Sequence, residues 1–258
     1  MRVSELVKYL DNEFPLSLQE SYDNCGLQVG DGNVEVSGVL LAIDVVEATL
    51  DEAVEKGCNF ILCHHPLIFK VVKRIAGKNY IERILHKAIK CDIAIYAAHT
   101  NADKVLEGVS GAMAARLGLE NVTVLDDEGE GTGLGAVGDF PEPMTSEAAL
   151  ALVKERFSLK VVKASRPVEG LVSRVAMCGG SGGSLIAAAR RSGAQLYISG
   201  DISYHNFFTP EGFMIMDIGH YESEIDIVDI LFALITKKFP TFAVRITQNI
   251  NSNPIYYF

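Results

Sequence analysis

Short apolar runs alternate with amphipathic segments along most of the chain. Runs rich in Val, Ile, Leu and Phe are typical of buried strands, and segments with an apolar residue every three or four positions are typical of helices. In the first part the pattern predicts helix 3–13, strand 36–44, helix 46–57, strand 59–63, helix 80–91, strand 92–98 and helix 108–118. In the second part it predicts strand 133–139, helix 145–157, strands 159–164 and 171–178, helix 185–192, strands 194–199 and 213–218, helix 221–238 and strand 242–247. Strands that alternate with helices predict an α/β fold with mainly parallel sheets covered on both faces.

Two segments interrupt this alternation and contain many turn-forming residues. Residues 15–33, "PLSLQESYDNCGLQVGDGN", are predicted to form a loop, whereas "LDDEGEGTGLG" (125–135) is acidic and rich in glycine. The second segment is the best candidate for a domain boundary. We therefore expect two α/β lobes, 1–124 and 125–258, whose elements follow a similar order.

The composition narrows the class of protein. The 258 residues are 48% hydrophobic and carry a formal net charge of −10. Affinity for nucleic acid comes largely from lysine and arginine on phosphates, so this balance argues against a general nucleic-acid binder but leaves room for a local basic pocket that holds a small anion. No apolar stretch reaches the ~18–20 residues of a membrane span. The N-terminus lacks the apolar region of a signal peptide and the five cysteines form no CxxC pair, so we expect reduced thiols and a cytoplasmic protein.

Histidines stand where the predicted strands end. "FILC" is followed by His64 and His65, "IAIYAA" by His99, and "MIMDIG" by His220, whereas His86 falls inside a predicted helix. The C-terminal ends of parallel strands lie along one edge of a sheet, where ligands commonly bind. We therefore expect these distant histidines to meet at such an edge, although a histidine that only caps a sheet edge is the alternative for any one of them.

Two of these histidines have a carboxylate four positions further on. His99 precedes Asp103 and His220 precedes Glu224, and a helix that begins at His220 would put the second pair on one face within reach of one ion. A hydrogen bond on a helix surface is the alternative for such a pair. Imidazole and carboxylate without thiolate suit zinc, manganese, iron, cobalt or nickel. Together with the two adjacent histidines, these ligands exceed one tetrahedral site and favour two divalent ions about 3.5–4 Å apart.

The glycine-rich turn "CGGSGGSLIAAARR" is a second candidate site. It joins a predicted strand to a helix, so the N–H groups of Gly180 and Gly182 are candidates to bind a phosphate at the helix N-terminus. Leu185 stands where a dinucleotide-binding turn has its third glycine, and a tight strand-to-helix turn explains the segment equally well. Asp201 and His205, which follow the strand "LYIS", complete the candidate substrate-binding residues.

The motifs "CHHP", "HTNAD", "GDISYH" and "GHYESE" together resemble the GTP cyclohydrolase 1 type 2 homologue family of dinuclear-metal-centre, NGG-interacting-factor-like proteins. The resemblance covers the whole chain and includes "SYDNCGLQVGD", "GGSGG" and "NINSNPI". The metal ligands that it implies are His64, His65, Asp103, His220 and Glu224. It also implies that His99 supports the site, and that two intertwined α/β lobes assemble into a ring-shaped homohexamer. "FALITKKF" (232–239) and the tail "NPIYYF" (253–258) offer apolar surface for contacts between copies, although packing within the chain explains them equally well.

Three functional hypotheses are compatible with these features. The first is a divalent-metal-dependent hydrolase that acts on a nucleotide or a related small molecule, with His99 or Glu224 moving protons and GTP as the substrate that the resemblance suggests. The second is a metal-holding scaffold or interaction partner of transcription regulators, and the third is a metal carrier. The chain has no Gly-x-Ser-x-Gly elbow, which disfavours a serine hydrolase.

Overall fold

The computed structural model describes residues 1–248 and 253–256, so residues 249–252 of "NINSNPI" and residues 257–258 of the tail lie outside the described part. The chain forms two compact units. The first unit joins Met1–Ala102 to Ile227–Pro254, and the second joins Asp103–Asp226 to Ile255–Phe258. The chain thus changes units after Ala102 and again after Asp226, and not in the segment 125–135 that the sequence indicated.

The helices and strands follow the predicted order closely. Up to residue 117 they are α1 (Val3–Glu13), β1 (Gly26–Val29), β2 (Val39–Ala42), α2 (Glu47–Glu55), β3 (Phe60–Cys63), α3 (Tyr80–Lys90), β4 (Ala94–Ala97), α4 (Thr100–Asp103) and α5 (Val109–Leu117). Beyond it they are β5 (Glu120–Gly129), β6 (Thr132–Thr145), α6 (Ser146–Arg156), β7 (Lys163–Ala164), β8 (Leu171–Ser181), α7 (Ile186–Arg191), β9 (Leu196–Gly200), β10 (Met214–Asp217), α8 (His220–Glu224), α9 (Ile227–Lys238) and β11 (Val244–Ile246).

The first unit is built on a five-stranded sheet with the order β1-β4-β3-β2-β11. Strands β2, β3, β4 and β11 are parallel, and β1 pairs antiparallel with β4 at one edge. Every residue of β2, β3 and β4 is buried, as expected for parallel strands covered on both faces. Strand β1 lies where a loop was predicted, because a four-residue edge strand whose only buried residue is Gly26 has too little apolar periodicity to be recognised.

The second unit is built on a six-stranded sheet with the order β5-β6-β8-β9-β10-β7. Strands β8, β9 and β10 are parallel, whereas β5, β6 and β7 pair antiparallel with their neighbours, so this sheet is mixed. The C-terminal ends of its three parallel strands lie at one edge. That edge carries the "GGSGG" segment in which β8 ends, Asp201 after β9 and His220 after β10.

The segment 125–135, predicted as a domain boundary, is part of a β-hairpin formed by β5 and β6. Gly129 pairs with Thr132, and the two residues between them, Glu130 and Gly131, both have positive φ angles of 56° and 72°. A two-residue loop with positive φ at both positions matches the twist of the flanking strands. The glycines therefore serve a tight turn and not a linker.

The predicted helix 221–238 is two helices, α8 and α9, separated by Ile225 and Asp226. Helix α9 buries the apolar residues Ile227, Leu231 and Ile235 in the first unit, whereas the buried residues of α8 are the polar Ser223 and Glu224 of the second. None of the helices in the described residues combines the length and the apolar character that a membrane span requires.

Candidate functional site

Three imidazoles meet at the C-terminal edge of the first unit's sheet. His64 and His65 follow β3, and His99 follows β4, the parallel neighbour of β3. Their ring centroids are 5.0 to 5.5 Å apart, and one ring nitrogen from each lies within 4.8 Å of the other two. The predicted meeting of these histidines is therefore present in this unit.

Each of the three rings is held through its Nδ1 atom. Nδ1 of His64 lies 2.7 Å from the carbonyl oxygen of Ala98, Nδ1 of His65 lies 2.8 Å from Oδ1 of Asp44, and Nδ1 of His99 lies 2.9 Å from Asp23. Carbonyl and carboxylate oxygens only accept hydrogen bonds, so Nδ1 carries the hydrogen and the neutral ring has its lone pair on Nε2. Metal-binding histidines are oriented in this way in proteins generally.

Asp23 is a buried carboxylate that orients His99. Its side chain is fully buried, and it accepts hydrogen bonds from His99, from the hydroxyl and N–H groups of Thr100, and from the thiol of Cys25. Burial raises the pKa of Asp23, but the hydrogen bonds from His99 and Thr100 outweigh it and hold that pKa well below its usual value. Asp23 is therefore a fixed anion against the Nδ1 side of His99.

In the second unit, His220 stands between two carboxylates. Its Nδ1 lies 2.8 Å from Oδ2 of Asp201, and its Nε2 lies 3.1 Å from Oε2 of Glu224 on the next turn of α8. The side chain of Glu224 is only 4% exposed. Because Asp201 takes the Nδ1 hydrogen, a neutral His220 would present a lone pair to Glu224. The pair therefore requires either a proton between these two atoms or a cation bound to both.

Asp217, the last residue of β10, fixes the turns that carry these groups. Its carboxylate is buried and accepts hydrogen bonds from the N–H groups of Ile202 and Gly219, each at 3.1 Å. Ile202 is adjacent to Asp201, and Gly219 is adjacent to His220. One side chain thus sets the spacing of the two residues at the ends of β9 and β10.

Gly180 allows the close approach of Glu224. It has a φ of +60°, and a Cβ at this position would lie 2.2 Å from Oε1 of Glu224 and 3.3 Å from Cε1 of His220. At Gly200, a Cβ would lie 2.8 Å from the backbone of His220 and from the carbonyl oxygen of Gly180. The start of α8 therefore packs directly on the backbone of two glycines, Gly180 and Gly200.

The N–H groups proposed from sequence to bind phosphate already have acceptors inside the chain. The N–H of Gly180 donates to Oγ of Ser223 at 2.9 Å, and the N–H of Gly182 donates to Oγ of Ser199 at 3.0 Å. The two glycines thus serve the close packing of this segment, and the binding of a phosphate by their N–H groups stays a prediction. His205 lies in the exposed 3₁₀ turn Tyr204–Phe207.

Asp103 and Glu224 both act on Cys178 in the second unit. Burial raises the pKa of the Cys178 thiol, and the charges of Asp103 and Glu224 raise it further. The two carboxylates of the predicted ligand set thus lie within electrostatic reach of the same buried sulfur.

The orienting aspartates are the residues that sequence reasoning missed. Asp44 lies just after β2 and Asp217 is the last residue of β10, so the strand-end pattern that predicted the histidines could have found both. Asp23 lies in the segment predicted as a loop, and the only signal for it was the motif "SYDNCGLQVGD", which is part of the family resemblance. Asp201 was predicted as a substrate-binding residue, whereas its carboxylate lies against His220.

The histidines and Glu224 have the kinds of ligand atom that a divalent transition-metal ion binds. The imidazoles present Nε2 lone pairs, and the carboxylate of Glu224 faces one of them in a buried setting. Nitrogen and oxygen ligands of this kind suit zinc, manganese, iron, cobalt or nickel, and the aspartates at Nδ1 are the usual outer partners of such ligands.

The fold and these side chains define an α/β protein with candidate metal-binding residues at the C-terminal ends of parallel strands. A model of the Duf34/NIF3 (NGG1p interacting factor 3) family matches residues 1–254, and the chain belongs to this family. The relationship that the strand-end motifs predicted is thereby confirmed.

Relatives and solved structures agree with this assignment. A "GTP cyclohydrolase 1 type 2 homolog" of Streptococcus pneumoniae is 34% identical over 243 residues, covering 92% of this chain and 91% of that protein. One from Clostridium perfringens is 32% identical over 228 residues, covering 87% of each. The crystal structure of a Staphylococcus aureus hypothetical protein matches with a TM-score of 0.91 at 29% identity, covering 100% of this chain and 99% of that chain. A Bacillus cereus protein related to NIF3 matches with a TM-score of 0.90 at 25% identity, over 100% and 99% of the two chains, and the predicted α/β fold is confirmed.

Proposed function

We propose that this chain is a divalent-metal-dependent hydrolase that acts on a nucleotide or a related small molecule. The observation that carries the proposal is the shared orientation of four histidines. His64, His65, His99 and His220 each donate Nδ1–H to a carbonyl or carboxylate oxygen, which directs the Nε2 lone pair to a cation at His64, His65 and His220 and to a proton at His99. The name of the relatives, "GTP cyclohydrolase 1 type 2 homolog", supports the choice of chemistry.

For two ions we propose the ligand set that the family resemblance implies. Its members are His64, His65, Asp103, His220 and Glu224. The support within each unit is the three-imidazole group of the first and the buried His220–Glu224 pair of the second. A histidine that already donates Nδ1–H to an aspartate loses little freedom when Nε2 binds a cation, so the arrangement favours binding.

The residues around the proposed ions have separate tasks. Two divalent ions when bound would lower the pKa of a bound water from about 15.7 towards about 7. Nε2 of His99 is suited to accept or return a proton, because the anionic Asp23 at Nδ1 stabilises the imidazolium that forms. Glu224, with its carboxylate against His220, is the second candidate for moving a proton.

Elemental analysis of purified variants tests the metal proposal. Asp103→Ala and Glu224→Ala should each lose most bound metal while keeping the wild-type circular dichroism spectrum. His86→Ala is the matched control for a lost histidine, because His86 is exposed on α3, and it should keep full occupancy. Full occupancy in the Asp103 and Glu224 variants would remove the basis of the ligand set.

Turnover assays test the hydrolase proposal. Wild-type protein should hydrolyse GTP or another member of a nucleotide panel, lose that activity with a chelator and recover it with a divalent transition metal. His99→Ala should keep more metal than Glu224→Ala but lose turnover if His99 moves protons. Equal rates in wild type and Glu224→Ala would identify a contaminating activity. Full metal occupancy without turnover of any compound would favour a metal-holding interaction protein.

We also propose the homohexamer that the resemblance implies. Phe232 of "FALITKKF" and Ile255 and Tyr256 of the tail are exposed and offer apolar surface, whereas residues 257–258 lie outside the described part. Light scattering should give six times the chain mass of 28.0 kDa. A monomer mass at micromolar concentration would contradict the proposal.

A further inference from the structure

A cluster of positive charge follows the paired histidines of the first unit. Residues 66–81 contain four cationic side chains and no acidic one, in a chain whose formal net charge is −10. These are Lys70, Lys73, Arg74 and Lys78. None of the four forms an ion pair within 4.0 Å with any residue in the ranges 1–248 and 253–256.

The four cations line a cavity of about 470 Å³ together with Asn79 and Glu82. This volume is in the range of about 300–1,000 Å³ that small-molecule sites occupy. Glu82 is the only acidic residue of the lining, and its carboxylate is hydrogen-bonded to the loop. Its carboxylate accepts hydrogen bonds from the N–H groups of Ala76 and Lys78 and from Nδ2 of Asn79, at 2.9 to 3.0 Å.

The loop that carries the cations is anchored at both ends. Glu82 ties residues 76–79 to the first turn of α3. At the other end, Nδ2 of Asn24 donates to the carbonyl oxygen of Ile68 at 2.6 Å, and the N–H of Ile68 donates to Oε1 of Gln28 at 2.8 Å. Lys70, Lys73 and Arg74 lie between these anchors, and the anchoring hydrogen bonds use none of the four cationic side chains.

An exposed aromatic pair lies beside this loop and against the histidines. Phe69 precedes Lys70, is 45% exposed, and has its ring centroid 6.2 Å from that of His99. Tyr22 is 63% exposed, and its ring centroid lies 6.4 Å from that of Phe69. Exposed aromatic rings bind nucleobases by stacking, and this stacking is not selective because every nucleobase is planar.

We propose that residues 69–78 form a binding site for a nucleoside polyphosphate, in which the cations hold the phosphate chain and Phe69 stacks on the planar ring. The placement of the ring beside His99 rests on the proposed hydrolase function, whereas binding of the phosphate chain does not. The four cations also explain how an anionic ligand approaches a protein with a large negative net charge. The local electrostatic potential, and not the net charge, guides the final approach.

Calorimetric titration with inorganic triphosphate tests the cationic part. Lys73→Gln/Arg74→Gln should weaken binding by about 10-fold or more, as expected for two lost charge-assisted contacts. The matched control is Arg83→Gln/Lys87→Gln, which makes the same change in charge on α3 at cations already paired with Glu47 and Asp51, and it should change binding less than about 2-fold. All four positions are at the surface of an exposed loop or helix, so the variants should fold.

Two further titrations complete the test. GTP should bind more tightly than inorganic triphosphate to the wild type, and Phe69→Leu should remove that difference. Triphosphate should bind the wild type equally with and without a chelator, and this separates the loop from the proposed metal ions. Equal losses in both double variants, the absence of saturable binding, or loss of triphosphate binding in the presence of the chelator would each overturn the proposal. A Lys73→Gln/Arg74→Gln protein that changes its oligomeric mass would also overturn it, because the loop would then belong to a contact between copies.

Discussion

Nδ1 of His65 lies 2.8 Å from Oδ1 of Asp44, and each residue follows one of two adjacent parallel strands. The strand register therefore places the aspartate where it sets the tautomer and the direction of the imidazole. We predict that Asp44→Asn lowers metal affinity by about 10- to 100-fold, the range found for partners of metal-binding histidines. Asparagine can rotate its amide to donate, so the ring is no longer held as a strong Nε2 ligand.

Competition with a chromophoric chelator measures this affinity. Asp229→Asn is the control, because Asp229 is an exposed residue of α9 and its replacement makes the same change in charge. An affinity for metal that is equal in wild type and Asp44→Asn would show that Asp44 does not orient a ligand.

The strand-end histidines could be predicted because their positions depend on local pattern and on one rule of parallel sheets. His64, His65 and His99 needed only the expectation that β3 and β4 are parallel neighbours. The contact between Asp23 and His99 could not be predicted in this way, because it joins residues that are 76 positions apart through a loop. The hairpin at 125–135 was misjudged because acidic, glycine-rich composition is typical both of linkers and of tight turns.

Gly180→Ala tests whether the C-terminal end of β8 is shaped for Glu224. The new Cβ would lie 2.2 Å from Oε1 of Glu224, and the φ of +60° adds backbone strain. We expect a loss of about 2–5 kcal/mol in the free energy of unfolding, from about 1–2 for the left-handed backbone and about 1–3 for overpacking. Bound metal should fall as well if Glu224 is a ligand.

Gly193→Ala is the matched control for Gly180→Ala. Gly193 has a φ of +80°, and no atom lies within 4 Å of the place that its new Cβ would occupy, so the variant carries the backbone strain without the clash. Urea denaturation should therefore give it only the smaller loss, of about 1–2 kcal/mol. Equal losses in the two variants would mean that contact with Glu224 contributes nothing.

The five cysteines are free thiols that differ in environment, and we predict a fixed order of alkylation at pH 8. Burial raises the pKa of Cys25 to about 11 and raises the pKa values of Cys63 and Cys178 further, whereas Cys91 is exposed. Because the thiolate is the reactive form, iodoacetamide should modify Cys91 first. Peptide mass mapping over time measures the order, and the urea-unfolded chain should lose it. Reaction of Cys178 at the rate of Cys91 would contradict the buried environment.

Asp23 should make stability depend on pH in the acid range. Burial raises the pKa of this carboxyl, but hydrogen bonds from His99 and Thr100 lower it to a net value below that of the unfolded chain. The folded state thus binds fewer protons, and the stability that Asp23 contributes is fully present above an unfolded pKa of about 3.9 and is lost as pH falls from there through the folded pKa. Asp23→Asn should reduce the free energy of unfolding by about 2 kcal/mol near pH 6, where hydrogen bonds to a charged group are lost. The difference between wild type and variant should shrink as pH falls below about 4.

Urea denaturation from pH 3 to 6 measures that difference, with Asp229→Asn as the control. A chelator is present so that metal release does not contribute. A difference that stays constant over this range would mean that Asp23 is not held as an anion by His99 and Thr100.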